Sequence, residues 1–168
     1  AIGSPASRGT LTLDTAGAAP GTGTVAQTQA VTPGCLLVRS NSDVTPTNPA
    51  NNAATLAADT AGGNLSYMDA DNLAVGTLAP NAGGGATAGI TAGTTSGGAT
   101  VKLESVAGAL SQAAASPITT QNLYVGTASG AILDNTTNDV ATLAARVSGA
   151  GAFVFADKND LTIGTVAD

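Results

Sequence analysis

The chain has 168 residues, a net charge of −6 and a composition of 43% hydrophobic, 10% charged and 2% aromatic residues, without Trp or His. An ordinary globular domain carries about 25% charged residues and disorder pairs low hydrophobicity with high charge; a thin core of small aliphatic side chains fits this chain better than either. Five scattered basic residues (Arg8, Arg39, Lys102, Arg146, Lys158) and four rings (Tyr67, Tyr124, Phe153, Phe155) exclude a phosphate-binding stripe or a base-stacking platform, and no apolar run approaches the roughly 18 residues of a membrane span.

In chain order, the first elements are "GTLTL" (9–13) and "TGTVAQTQAVT" (22–32), whose alternation predicts strands with one buried face. Their Thr-x-Thr spacing makes ice binding a candidate, but the threonines do not recur in one phase, and outward β-branched residues account for them. "GCLLV" (34–38) predicts a core strand. Cys35 in it is expected to be a buried small hydrophobe, and as the sole cysteine it forms no intrachain disulfide. "NNAATLAAD" (51–59) is the best helical candidate, with Asn at an N-cap position, yet its later counterpart "NDVATLAARV" is β-branched, so both are predicted strands. "APNAGGGATAG" (79–89) lacks the Gly-Lys-Ser/Thr end of a phosphate loop and is expected to be a flexible loop leaving the fold.

The chain repeats itself. "NPANNAATLAADT" (48–60) lies over "NTTNDVATLAARV" (135–147), an offset of 87. After one inserted residue, "NLSYMDADNLAVGTLA" (64–79) lies over "AFVFADKNDLTIGTVA" (152–167), matching Tyr67 to Phe155 and Asp69 to Asp157. Upstream, "VTPGCLLV" (31–38) lies over "ITTQNLYV" (118–125). This predicts a module over 1–80, a Gly-rich insert over 81–89 and a second module over 90–168. Leu36, Leu56 and Leu73, like Leu123, Leu143 and Leu161, recur about every 20 residues between Gly, Asn, Asp and Ser clusters. The expected fold is therefore all-β: a parallel β-helix (β-solenoid) with about four coils per 87-residue module, two modules and roughly eight coils, a rod near 40 Å at ~4.8 Å per coil. Written end to start, "DLTIGTVAD" runs into "AIGSPASRGTLTL" much as the first module runs into the second, so Ala1 is expected to stack beyond Asp168. Without an initiator Met or a signal peptide, the chain reads as mature or a fragment.

"NDVATLAARVSGAGAFVFADKNDLTIGTVA", with "GGATVKLES" and "ITTQNLYV" before it, resembles the repeat modules of filamentous-haemagglutinin-type exoproteins. The resemblance implies a very large secreted bacterial β-helix protein, many of which leave by the two-partner route and act as adhesins or matrix fibres. It implies an extracellular or bacterial cell-surface location.

Candidate chemistry is sparse. Asp69 and Asp71, or Asp157 and Asp160, offer oxygens of the kind Ca²⁺ takes, although Asx-turns between coils account for the same residues. Asp134 and Asp139 flank "NTTN" and form the sole carboxylate pair for hydrolysis of a polysaccharide. The chain has no His and little aromatic surface, so no enzyme is expected and no cofactor is assigned. "NTT" at 135 and "NLS" at 64 match the glycosylation triplet. The expected function is structural: a segment or subunit of a surface adhesin or filament, whose partners are copies of itself or adjoining repeats end to end. The alternative is a glycan- or receptor-binding module, with loops 40–52 and 79–89 on a β-helical stalk.

Overall fold

The computed structural model describes residues 8–17, 23–80, 84–93 and 97–166. Among them there are strands and no helix. The expected junction of Ala1 with Asp168 lies outside the described residues. The strands wind as a parallel β-solenoid of about six turns.

The first three turns carry β1 (Thr10–Asp14) and β2 (Val25–Ala26), then β3 (Cys35–Arg39) and β4 (Val44–Thr45), then β5 (Thr55–Asp59) and β6 (Leu65–Asp69). The fourth carries β7 (Leu73–Val75), an antiparallel excursion of β8 (Thr77–Leu78) and β9 (Thr87–Ala88), then β10 (Ile90–Ala92) and β11 (Thr100–Ser105). The fifth has β12 (Leu110–Gln112) and β13 (Ile118–Thr127), the sixth β14 (Ala131–Leu133) and β15 (Asp139–Val147). β16 (Phe153–Phe155) and β17 (Thr162–Ile163) begin another. Face A stacks β1, β3, β5, β7 with β10, β12 with the start of β13, β14 with the start of β15, and β16. Face B stacks β2, β4, β6, β11, the remainder of β13 and of β15, and β17.

The alternation in sequence becomes columns of side chains running along the axis. On face B, Val25, Val44, Leu65, Val101, Leu123, Leu143 and Ile163 pair successively in register. On face A, Leu11, Leu36, Leu56 and Val75 do the same, beside Leu13, Val38, Ala58, Ile90 and Ile118. Each in-register layer removes apolar area from water at about 25 cal/mol per Å², and the backbone pairs with the coils on either side. The core is not wholly aliphatic. Tyr67 is buried in it, in the column of Leu103 and Val125.

Four expectations need correction. The turns number about six rather than eight, because the fourth absorbs the excursion; at ~4.8 Å per coil the stack is about 30 Å tall. The 87-residue offset is not a whole number of turns. Leu36 lies on face A and its equivalent Leu123 on face B, so a module spans three turns and a fraction instead of four. The third leucine of each module is not the one in line: Val75 stands on Leu56, and Ile163 on Leu143. Cys35 is half-buried on the outer side of β3, because Leu36 and Val38 take the inward positions.

The stretch after Val75 leaves the coil, and its described part folds back as the β8–β9 pair instead of the open loop expected. Val75 pairs with Leu56, and Ile90 pairs with Ala58. The neck between them is closed by Gly89 N–H donating to the Gly76 carbonyl (2.9 Å). β8 and β9 lie against β3 and β5. Leu37 and Ala57, outward by alternation, are fully buried there. Arg39 holds the loop by donating Nε to Thr87 Oγ1 (3.2 Å) and Nη2 to the Gly85 carbonyl.

Candidate functional site

The acidic residues singled out in sequence sit in the turns between coils, and most of them cap backbone amides. Asp69 is fully buried. Its Oδ2 accepts from Ala53 N (2.9 Å) and from the Tyr67 hydroxyl (2.9 Å), and its Oδ1 accepts from Asp71 N (3.1 Å). Asp71 Oδ2 accepts from Asn52 Nδ2 (2.9 Å). The second module repeats the arrangement without the phenol. Asp157 accepts from Val140 N (3.0 Å) and from Asn159 N (3.2 Å). Asp160 is exposed in the same turn. Three donors therefore occupy the Asp69 oxygens that a cation would need, and no group of three or more Asp, Glu, His or Cys poised for a metal occurs among the described residues.

Burial raises the Asp69 carboxyl above its ordinary value of 3.8, opposed by the hydrogen bonds it accepts. Burial also raises the Tyr67 phenol, with the negative field of Asp69 adding to it. The sign of the stability effect follows. Between the unfolded and folded values the folded chain holds a proton that the unfolded chain lacks, so acidification through that window favours the folded state. In Asp69→Asn, an amide NH₂ faces one of the three donors. That variant should lose about 1–2 kcal/mol at neutral pH, and its gap from wild type should widen as pH falls toward 3.8. Urea midpoints followed by circular dichroism between neutral and mildly acid pH check this; a gap that stays constant or narrows contradicts it.

Asp134 and Asp139 are not brought into one site. Asp134 is exposed beside a shallow pocket of about 290 Å³ lined by Ala113–Ala115, Asn135 and Thr136, which does not include Asp139. Asp139 instead pairs with Lys158 Nζ (2.6 Å) and accepts from Asn159 Nδ2 (3.0 Å), contacts that lower its carboxyl. On face B, a groove of about 350 Å³ runs past Asp43, Asn64, Lys102 and Tyr124. Two of its polar groups are used by the fold: Asp43 Oδ1 accepts from Asn64 N (2.8 Å), and Asn64 Oδ1 from Thr100 N (2.8 Å). Lys102 lies 5.5 Å from the centre of the Tyr124 ring.

One interior feature did not emerge from the sequence. Asn138 is fully buried and ties three turns together. Its Nδ2 donates to Gln112 Oε1 (3.2 Å), the Leu133 carbonyl (3.2 Å) and the Ala156 carbonyl (2.9 Å). Its Oδ1 accepts from Gln112 Nε2 (2.6 Å) and Ile118 N (2.8 Å). Asn51, also fully buried, makes the same set with Gln27, the Pro46 and Met68 carbonyls and Val31 N. The signal was present: Asn51 and Asn138 occupy matched places in the two modules.

The last coil bears on the expected end-to-end stacking. Leu143 is buried, but Ile163 directly over it is 74% exposed. Phe153, Phe155 and Leu161 are partly buried against the core beneath. Among the described strands, β16 pairs only with β14 and β17 only with β15, so each keeps an open edge. At the opposite end, β1 pairs only with β3 and β2 only with β4, and Leu11, Leu13 and Val25 are partly buried. Among the described strands, each end thus combines partly exposed apolar side chains with a strand that has a described neighbour on one side, where a further strand can add.

No family model, curated protein or solved structure matches this chain.

Proposed function

We propose that the protein is a structural β-solenoid, a segment or subunit of an extracellular adhesin or matrix filament on the bacterial surface, lengthened by coils that stack on its ends. Ile163 carries this reading: the aliphatic column of face B is buried from Val44 to Leu143 and then left 74% exposed at its last member. A core position that faces solvent gains when another coil covers it. The extracellular setting rests on the resemblance of the modules to filamentous-haemagglutinin-type repeats. The added coil comes from adjoining repeats or from a second copy.

Covering one aliphatic side chain is worth about 1.5–3 kcal/mol, and about 1.4 kcal/mol is tenfold in affinity. Wild type is expected to assemble with increasing concentration in sedimentation velocity. Ile163→Lys should assemble tenfold or more weakly while its unfolding midpoint stays within error, because that side chain is already exposed. A wild-type chain that remains a discrete monomer at every concentration overturns the proposal.

A further inference from the structure

The open ends are the two halves of a joint that the chain also contains in finished form. Inside the chain, β6 and β7 receive the next turn in a defined register. Val101 stands on Leu65, Leu103 on Tyr67 and Ser105 on Asp69, while Leu110 stands on Leu73 and Gln112 on Val75. The receiving residues have equivalents 88 positions on: Phe153, Phe155, Asp157, Leu161 and Ile163. These form the last coil described.

The seated residues have equivalents as well. Val101 and Leu103 pair with Leu123 and Val125, as Leu11 and Leu13 pair with Leu36 and Val38, 87 positions earlier. Gln112 is bonded to Asn138 as Gln27 is to Asn51. Leu110 pairs with Ala131 as Val25 pairs with Val44. One end of the solenoid therefore repeats the lower half of the internal joint, and the other end repeats the upper half.

Resting on the end-to-end reading, we infer that a second copy of this chain docks in the register of the internal joint. Its β1 runs parallel to β16, with Leu11 over Phe153, Leu13 over Phe155 and Thr15 over Asp157. Its β2 runs along β17, with Val25 over Leu161 and Gln27 over Ile163. The inward residues that meet are apolar or uncharged, apart from Asp157, whose internal equivalent Asp69 lies under Ser105 in the same way. The two halves belong to opposite ends of one molecule, so the contact is head to tail and does not close on itself, which gives a filament.

The register is read by cross-linking. In a Cys35→Ser background, Thr12→Cys combined with Val154→Cys places thiols on neighbouring strands at directly opposed positions, about 4.8 Å apart by strand spacing, within the range a disulfide spans. The two positions lie at opposite ends of one molecule, so a link between them is intermolecular. Val154 is outward and 43% exposed. The control pair, Asp14→Cys with Val154→Cys, is shifted by two residues. Mild oxidation, and separately a short bis-alkylating reagent, should give a ladder of covalent multimers from the 12/154 protein at least tenfold more abundant than from the 14/154 protein. Two results overturn the register but leave end-to-end stacking intact: stronger linking of 14/154, or no linking of either pair while sedimentation still shows assembly. Monomers by sedimentation in the unsubstituted Cys35→Ser protein overturn both.

Discussion

Asn138→Ala should lower the unfolding free energy by about 3–5 kcal/mol, the largest effect expected of any polar substitution in this chain. The side chain is fully buried and makes five hydrogen bonds across three successive turns. Its loss strands the Ile118 N–H and the Ala156 carbonyl and takes one partner from the Gln112 amide and the Leu133 carbonyl, which keep Ser116 O and Asn135 N, and Ala156 N, respectively. A buried group left unpaired costs about 1–3 kcal/mol, partly relieved by relaxation. Asn51→Ala should cost a similar amount, because its partners are the same by type and place. Asn138→Asp separates shape from chemistry. It preserves the outline but removes the donors that face Leu133 and Ala156, so it should be at least as damaging at neutral pH as alanine. Urea unfolding followed by circular dichroism measures all three, and a loss below about 1 kcal/mol for Asn138→Ala would show that the network is dispensable.

The second large effect is expected at Gly89, where the chain re-enters the coil. Its φ is +71°, and a Cβ there would sit 1.9 Å from the Pro117 carbonyl oxygen of the next turn. That carbonyl is itself bonded to Ile90 N (2.9 Å), and the Gly89 carbonyl accepts from Ala58 N (3.0 Å), so neither side can move without breaking a ladder. Gly89→Ala combines left-handed strain of about 1–2 kcal/mol with overpacking of about 1–3 kcal/mol. A loss of about 3 kcal/mol is expected, with faster hydrogen exchange at the Ala58 amide. Gly62→Ala is the control. Gly62 also has positive φ, +116°, but a Cβ there would meet no atom within 4 Å, so strain acts there alone. Equal losses at the two sites would show that the clash at Gly89 is absorbed.

Strand periodicity was the most legible property of this sequence. Leu36, Leu56, Leu123 and Leu143 lie inward as their alternation implies, and "NNAATLAAD" is extended despite its alanines, because Thr55–Asp59 has strands to pair with on both sides. What one strand's alternation does not encode is where the next strand sits. Leu73 and Leu161 were natural choices for the third layer, yet Val75 and Ile163 take it, since the stacking steps there are 19 and 20 residues, whereas Leu73 and Leu161 follow Leu56 and Leu143 by 17 and 18. The three consecutive apolar residues of "GCLLV" did carry a readable message: Leu37 points outward, so something has to cover it, and β8 with β9 does. Asp69 carries a different message. Two acidic residues two positions apart fit either a ligand set or an Asx-turn; Asp71 N donates to Asp69 Oδ1 as an Asx-turn does, and burial with two further donors makes Asp69 an internal fastener.

The half-turn hidden in the 87-residue offset governs what such a rod shows to its surroundings. Equivalent strand positions of the two modules lie on different faces, Leu36 under face A and Leu123 under face B, and the outward residues beside them follow. A next copy seated face A upon face A would continue the alternation. A flat surface laid along the rod therefore meets only every second module with any given side chain, at twice the spacing of the sequence repeat. In the proposed filament, two surfaces on opposite sides would meet the same chemistry equally, each through its own set of modules, and the rod would be a two-sided tape written in a single alphabet.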